Sequence, residues 1–264
     1  MHRIKLYLCL VYFLLFTAHS YGQQKNICIS EELSNNSDKL KVKLGTKWPN
    51  RIWNFEFGNY KVVESKTGWV TETAGSNLLG TKSETETKYK FAFRLINKEA
   101  DTAIVKANNN SSIQEVHSIE LFKDFYIGDD QIVNQTEFFI SSINLSNDKE
   151  DPWALLMSQF YNKNQHYEKI AFLQNNERNI AIAEVSSREC SDDKQRFPAL
   201  GFEFIENEQA IGAVQYVGRG TFGTNKNIVW LKSDLDQKSK LILAAAMAAL
   251  MEIKLAYFGG NDED

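Results

Sequence analysis

One segment near the C-terminus, Leu241 to Met251, restricts the fold more than any other part of the chain. It reads Leu-Ile-Leu-Ala-Ala-Ala-Met-Ala-Ala-Leu-Met, eleven residues without a polar side chain. A helix that is apolar on every side is either buried or crosses a membrane. At 1.5 Å per residue the run covers about 16 Å, which is roughly half of the hydrocarbon thickness of a bilayer. We therefore expect a helix over 234–254 that is buried within the protein, with Ser233 as its N-cap. The predicted core residues of this helix are Leu241, Ile242, Leu243, Ala246, Met247, Leu250 and Met251.

From Trp53 onward, apolar and polar residues alternate in short runs separated by clusters of Asn, Gly, Asp and Lys. Tyr89 to Leu95 is one such run, and the pairs 167–173 with 180–185 and 200–205 with 210–217 are typical of hairpins. This alternation predicts antiparallel strands with one face toward a core and one toward water. We interpret three polar tracts as long exposed loops. They are 63–87, 108–112 and 144–151.

The C-terminal quarter combines these signals in a particular order. The strand pair Phe202 to Val217, which contains Ile211-Gly212-Ala213-Val214, is followed by a last strand, Ile228 to Asp234, and by the apolar helix Leu241 to Ile253. This combination resembles the tubby-like group, which includes the phospholipid scramblases and the LURP-one-related proteins. The resemblance implies a closed antiparallel barrel of about twelve strands around a central hydrophobic helix.

The predicted fold is therefore mainly β, an antiparallel barrel around a buried C-terminal helix. The alternative is a β-sandwich with the helix packed on one face. We assign 23–50 to a partly irregular N-terminal extension, 51–258 to a single β-rich domain and 259–264 to a flexible acidic tail.

The chain also departs from this family. Known members are mostly cytoplasmic or attached to a membrane, whereas this chain begins with an export signal. It has neither a Cys-rich palmitoylation segment nor a basic groove for phosphoinositides. We therefore expect the fold to carry over without the function.

Residues 1–22 have the layout of a secretory signal. A basic start with Arg3 and Lys5 precedes an apolar run, Leu6 to Phe16, and small residues at Ser20 and Gly22. We expect cleavage after Gly22 and a periplasmic, cell-surface or secreted protein with no membrane span. The alternative is a retained anchor with a short hydrophobic segment.

Cleavage changes both the charge and the cysteine content of the chain. The net charge of −4 becomes −6, because Arg3 and Lys5 leave with the signal. No basic tract remains that could hold a phosphate backbone, which argues against nucleic acid as a partner. Cys9 also leaves, so Cys28 and Cys190 remain either as a disulfide or as two unrelated thiols.

No motif assigns a catalytic residue, a cofactor or a metal. Gly218 to Gly223 matches the dinucleotide pattern G-x-G-x-x-G, but a strand follows it where that motif requires a helix. His117 and His166 have no partner at metal-ligand spacing. The acidic pairs Asp129-Asp130 and Asp192-Asp193 fit solvated loops better than a calcium site. Trp153 belongs either to a core-facing strand or short helix, or to an exposed binding lip.

These observations favour a non-enzymatic exported domain, expected to be a monomer, that serves in binding or in cell-envelope structure. Its ligand could be a protein, a glycan or a lipid. Two alternatives remain open: an envelope hydrolase with scattered carboxylates, and a lipid-binding protein of scramblase-like fold.

Overall fold

The structure is a computed structural model that describes most of the chain. The described residues are 26–68, 71–77, 82–99, 101–117, 119–122, 125–127, 131–162, 165–190, 197–218 and 227–259. The predicted signal, 1–22, lies outside these ranges, as do all residues of the predicted tail except Gly259.

Strands dominate the described residues, and the chain ends in one long helix. The strands are β1 (Ser37–Lys41), β2 (Lys43–Leu44), β3 (Phe55–Phe57), β4 (Tyr60–Thr67), β5 (Thr71–Ser76), β6 (Lys82–Ile96), β7 (Thr102–Val116), β8 (Ile119–Phe122), β9 (Phe125–Ile127), β10 (Gln131–Leu145), β11 (Asp148–Asn162), β12 (Gln165–Gln174), β13 (Asn179–Ser186), β14 (Leu200–Glu206), β15 (Gln209–Val217) and β16 (Ile228–Lys232). The helices are α1 (Glu31–Asn35) and α2 (Gln237–Gly259).

One large antiparallel sheet curls into a nearly closed barrel. Its strand order is β1-β16-β15-β14-β13-β12-β11-β10-β7-β6-β4-β3-β2, while β5 pairs with β6 and β8 forms a separate hairpin with β9. Its two end strands are consecutive in the chain and are separated by Val42 alone, so residues 37–44 pair with β16 on one side and with β3 on the other. The path contains thirteen strands, or twelve if β1 and β2 are counted as one. The expected barrel is confirmed, and the sandwich alternative is not observed.

Residues 37–44 were assigned above to a partly irregular extension, but they lie within the sheet. Lys39, Lys41 and Lys43 alternate with Leu40, Val42 and Leu44, because only one face of this strip packs against the core. Leu40, Val42 and Leu44 make that contact. The sequence of this strip therefore carries the period-two strand signal, which the assignment to an irregular extension overlooked.

Helix α2 fills the barrel interior. Every residue from Leu241 to Met251 is at most 2 % exposed. The helix contacts β7, β10, β15 and β16. At Gly212 a Cβ atom would lie 2.7 Å from the Cε atom of Met247, so a glycine allows the strand to approach the helix. The small alanine side chains of the helix likewise allow the strands to approach it closely.

The helix begins and ends later than predicted, at Gln237 and Gly259 instead of 234 and 254. Asp236, not Ser233, is the N-cap, since the amide of Ser239 in the first turn donates to its Oδ1 atom at 2.9 Å. This bond, with others from Ser239 and Lys238 and the charge of Arg178, outweighs burial and lowers the pKa of Asp236. Ser233 lies instead in the turn that follows β16.

Four strands are much longer than the sequence indicated. β6, β7, β10 and β11 each contain fifteen residues, whereas β14, β15 and β16 contain seven, nine and five. The expectation of loops at 63–87, 108–112 and 144–151 was therefore mostly wrong: 108–112 lies inside β7, and the other two tracts are largely strand. Polar residues are tolerated there because most of their side chains are at least partly exposed to water.

The N-terminal residues 27–36, here termed the N-terminal clasp, cover the outer surface of β13 to β16. Ile27 and the fully buried Leu33 pack against outward-facing side chains that include Ala213, Ile228 and Trp230. The amides of Ile27 and Ser30 donate to the side chains of Gln215 and Glu203 at 2.9 and 2.8 Å. The clasp thus buries an apolar surface on the outside of the barrel.

Cys28 and Cys190 form a disulfide, with Cα atoms 5.5 Å apart. The bond joins the N-terminal clasp to the turn that follows β13. It closes a loop across 162 residues of sequence. The clasp is therefore held both by packing and by a covalent bond.

A candidate binding site on the outer side of strands β10 to β13

The outer surface of β10, β11 and β12 displays large apolar side chains. Phe138, Ile140, Phe160 and Ile170 are 36–47 % exposed. The register sets these residues side by side: Ile140 is opposite Leu156, which is opposite Phe172. Phe138, Ser158 and Ile170 form the next row. We call this surface the apolar outer face.

Among the residues of β10 to β13 whose side chains the structure describes, none that points outward is charged, although Glu168 holds the register position opposite Phe160. The described outward-pointing residues are Asn134, Thr136, Phe138, Ile140, Ser142, Asn144, Pro152, Ala154, Leu156, Ser158, Phe160, Ile170, Phe172, Gln174, Asn179, Ala181 and Ala183. The next surface around the barrel, on β13 to β16, is also apolar but is covered by the N-terminal clasp. Adjacent outer surfaces of the same sheet therefore differ in whether the chain itself covers them.

The barrel wall splits beside this face, between β12 and β13. Their ladder contains only three pairs and ends at Phe172 and Ala181. β12 continues to pair with β11 as far as Gln165, and β13 continues to pair with β14 as far as Ser186. Residues 165–171 and 182–186 are thus strand segments that do not form a ladder with each other. We call this opening the split.

A row of polar side chains lines the barrel interior behind the split. It follows directly from the register of five neighbouring strands. Its members are Thr87, Ser111, Glu137, Gln159 and Lys169. Lys169 forms an ion pair with Glu184 of β13, so a side-chain contact spans the split where main-chain pairing has ended. This polar row marks the level at which the apolar core ends.

Charges in the polar row are balanced, and one of its members has unused hydrogen-bonding capacity. Glu137 is only 7 % exposed and lies 3.7 Å from the ammonium group of Lys254. Its Oε1 atom has no hydrogen-bond partner among the described residues, and neither has the buried hydroxyl of Ser141. Burial, and then the charges of Glu184 and Glu137, raise the pKa of Tyr216 well above its usual value. The interior beside β10 therefore contains buried oxygen atoms that can accept a hydrogen bond from a neutral donor.

The predicted candidate His117 lies elsewhere, at the far end of the long strands. Its Nε2 atom is 2.7 Å from the hydroxyl of Ser83 and 3.8 Å from the carboxylate of Glu115. A catalytic triad requires the acid on the opposite ring nitrogen from the serine, so these three residues do not form one. Ser83 and Glu115 border an open pocket of about 440 Å³. The arrangement fits a polar strand surface.

The structure shows where Trp153 lies, whereas several other predicted candidates lie outside the residues it describes. Trp153 is a core residue of β11 and is 3 % exposed, with the Arg178 guanidinium 5.3 Å from its ring centre. Among the described residues, no three potential metal-ligating side chains are grouped together. The His166 side chain, both acidic pairs and most of the glycine-rich segment 218–223 lie outside what the structure describes. Within the described part of the chain, no helix is long and apolar enough to span a membrane.

Neither a protein-family model, nor a curated protein, nor a solved structure matches this chain.

Sequence reasoning missed the apolar outer face, although a signal for it exists. Phe138-Phe139-Ile140 and Leu155-Leu156-Met157 interrupt the period-two alternation with adjacent apolar residues. Phe139, Leu155 and Met157 point into the core, so their neighbours must point outward. Consecutive apolar residues in an otherwise alternating strand thus indicate a sheet that is apolar on both faces.

Proposed function

We propose that this protein is an exported, non-enzymatic binding domain of the cell envelope, and that it holds a protein partner on the apolar outer face. The observation that carries the proposal is the set of four large apolar side chains exposed on three adjacent strands. Helix α2 occupies the barrel interior, so a partner of any size has to bind outside. The predicted signal at 1–22 supports export, and the Cys28–Cys190 disulfide suits an oxidising compartment.

The chemistry of the surface favours a protein partner over a glycan or a lipid. Interface cores are depleted in charge and enriched in aromatic side chains, as this face is. Contiguous exposed apolar patches are uncommon on proteins that act alone. Burying the exposed part of each of these side chains contributes about 2 kcal/mol at 25 cal/mol per Å². The resemblance to the tubby-like group stays a prediction about architecture, and no lipid chemistry is taken from it.

A thiol-protection experiment tests this proposal. Because Cys28 and Cys190 are bonded, a cysteine introduced by Ile170→Cys is the only free thiol of the mature chain. Val63→Cys is the matched control, since Val63 is a similarly exposed β-branched residue on the outer side of β4. Each variant is labelled with a polar maleimide, both as purified protein and in the envelope of cells that export it.

We expect both variants to react when purified. In the envelope, the thiol at position 170 should be labelled at least about fivefold more slowly than in the purified protein, while the thiol at position 63 is unaffected. Equal labelling of the position-170 thiol in both settings would mean that no partner occupies this face, and the proposed function would then be wrong.

A further inference from the structure

We infer that the partner binds as an extended peptide that adds a strand in the split between β12 and β13. This inference rests on the proposed function, because it specifies the form of the partner that the same side of the barrel holds. It depends on a separate observation, namely the early end of the β12–β13 ladder at Phe172 and Ala181.

The main chain supplies the first part of the argument. A strand that lacks a neighbour presents a row of N–H and C=O groups, which is a template for another strand. Here two such segments, 165–171 of β12 and 182–186 of β13, face the same opening. Each is held in strand geometry by its other neighbour. An added peptide would therefore meet preformed edges, which is the arrangement used in β-strand addition.

Side chains on the outer side supply the second part. Ile170 borders the split and is 47 % exposed, and the outward-facing Ala183 lies across from it on β13. An apolar residue of the added strand would pack between them and extend the apolar outer face across the split. Alternate positions of the peptide should therefore be apolar.

Side chains on the inner side supply the third part. Residues of the added strand that point inward would meet Lys169 and Glu184, which lie on the two strands that border the split, while Glu137 lies two strands further along the polar row, on β10. The two carboxylates already have lysine partners, so a further charge would be uncompensated. A neutral polar side chain leaves these ion pairs balanced. We therefore assign the peptide an alternation of apolar residues with Ser, Thr, Asn or Gln.

A purely protective role for Lys169 makes the opposite prediction. Charged side chains on edge strands often block strand addition, and an inward-pointing lysine is one way to do so. If Lys169 is protective, the split should not bind a peptide of any sequence. The two explanations are separated by a binding measurement.

The first experiment asks whether the split is open. If the ladder continued beyond Phe172 and Ala181, Ile170 would be the direct partner of Ala183. The double variant Ile170→Cys/Ala183→Cys is compared with Phe172→Cys/Ala181→Cys, which is in the ladder and has the same pairing parity. Disulfides need Cα atoms within about 7 Å, so we expect the ladder pair to oxidise at least about tenfold faster. Equal oxidation rates would show a closed wall and would overturn the inference.

The second experiment measures binding of a probe. The probe is a fluorescent peptide of about eight residues that alternates Val with Thr and Asn, with a C-terminal Lys for solubility. Its control is the same peptide with N-methyl groups on alternate residues, which removes main-chain donors. We expect anisotropy to show saturable binding of the probe and at least about tenfold weaker binding of the methylated peptide.

A protein variant fixes the location of binding. Ile170→Lys should weaken probe binding about tenfold or more, whereas Val63→Lys, on the other side of the barrel, should change it less than about twofold. Equal binding of both peptides, or an unchanged affinity in Ile170→Lys, would overturn strand addition in the split. Absence of probe binding at about 1 mM protein would do the same. If the position-170 thiol were still protected in the envelope, the proposed function would survive that failure.

Discussion

The hydroxyl group of Tyr89 donates a hydrogen bond of 2.7 Å to the carboxylate of Glu252, which is completely buried between α2 and the barrel wall. The same carboxylate accepts the main-chain N–H of Trp53 at 3.1 Å and lies 3.8 Å from the ammonium group of Lys47. A charge at this depth is stable only when such partners surround it. Through these hydrogen bonds Glu252 connects the second half of α2 to β6 and to the segment that precedes β3.

Removing the tyrosine hydroxyl should therefore destabilise the fold. A hydrogen bond to a charged group contributes about 2 kcal/mol, so Tyr89→Phe should lower the free energy of unfolding by about that amount in urea titrations. Tyr60→Phe is the control, because Tyr60 is also buried but borders the N-terminal end of α2. An effect of Tyr89→Phe no larger than that of Tyr60→Phe would contradict this role of the bond.

Stability should also fall at alkaline pH. Burial raises the pKa of Tyr60 to about 12, and burial with the neighbouring Glu252 raises the pKa of Tyr89 still further. In the unfolded chain a tyrosine ionises near pH 10, so the folded state keeps protons that the unfolded state releases above that pH. The stabilisation is complete below about pH 10 and decreases between pH 10 and 12.

Urea titrations at a series of pH values measure this decrease, which is at most about 1.4 kcal/mol per pH unit for each such tyrosine. Tyr60→Phe should make the decline shallower. A free energy of unfolding that stayed constant from pH 9 to about 12 would be incompatible with these buried hydroxyls.

Arg178 links the barrel wall to the N-terminal end of α2. Its Nε and Nη2 atoms each donate to one carboxylate oxygen of Glu206 at 2.8 Å, and its Nη1 atom donates to the hydroxyl of Ser239 at 2.7 Å. The hydrogen bonds to Glu206 also raise the pKa of the guanidinium group. A lysine cannot reproduce this fork.

Arg178→Lys should thus lower the free energy of unfolding by about 1 to 2 kcal/mol despite keeping the charge. Arg94→Lys is the matched control, because Arg94 forms a single exposed contact with Glu64. That substitution should cost less than about 0.5 kcal/mol. Similar losses in the two variants would argue against the bidentate contact.

The disulfide should stabilise the whole domain and the N-terminal clasp in particular. In the loop-entropy view, a bond across 162 residues contributes about 3 to 5 kcal/mol. The Cys28→Ser/Cys190→Ser variant should lose that amount and bind more of a hydrophobic dye, because a loosened clasp uncovers Trp230 and Ile228. If dye binding stayed at the parent level, packing of Leu33 alone would be sufficient to hold the clasp.

The sequence predicts the centre of this fold better than its periphery. Leu241 to Met251 has no polar face, so only an enclosed position satisfies it, and the strands around it follow from that requirement. Asn108 to Ser112 gave no such signal. Its residues lie in β7, where Asn109 and Ser111 point toward the polar end of the barrel and so lack the alternation that identifies a strand.

The candidate site was beyond sequence reasoning for a different reason. The split depends on where pairing between β12 and β13 ends, and the polar row depends on the register of five strands. Such long-range pairings are not encoded in any one segment. Only the runs Phe138-Phe139-Ile140 and Leu155-Leu156-Met157 indicated in advance that the outer surface of these strands is apolar.

Amide hydrogen exchange tests the central claim of an open strand edge most directly. In the free protein, alternate amides within 165–171 of β12 should exchange at least about a hundredfold faster than those of β11 at 154–158, which have partners on both sides. Addition of the alternating Val peptide should then protect them. If 165–171 were already as protected as 154–158 in the free protein, the edge would be closed and the proposed mode of binding would be contradicted.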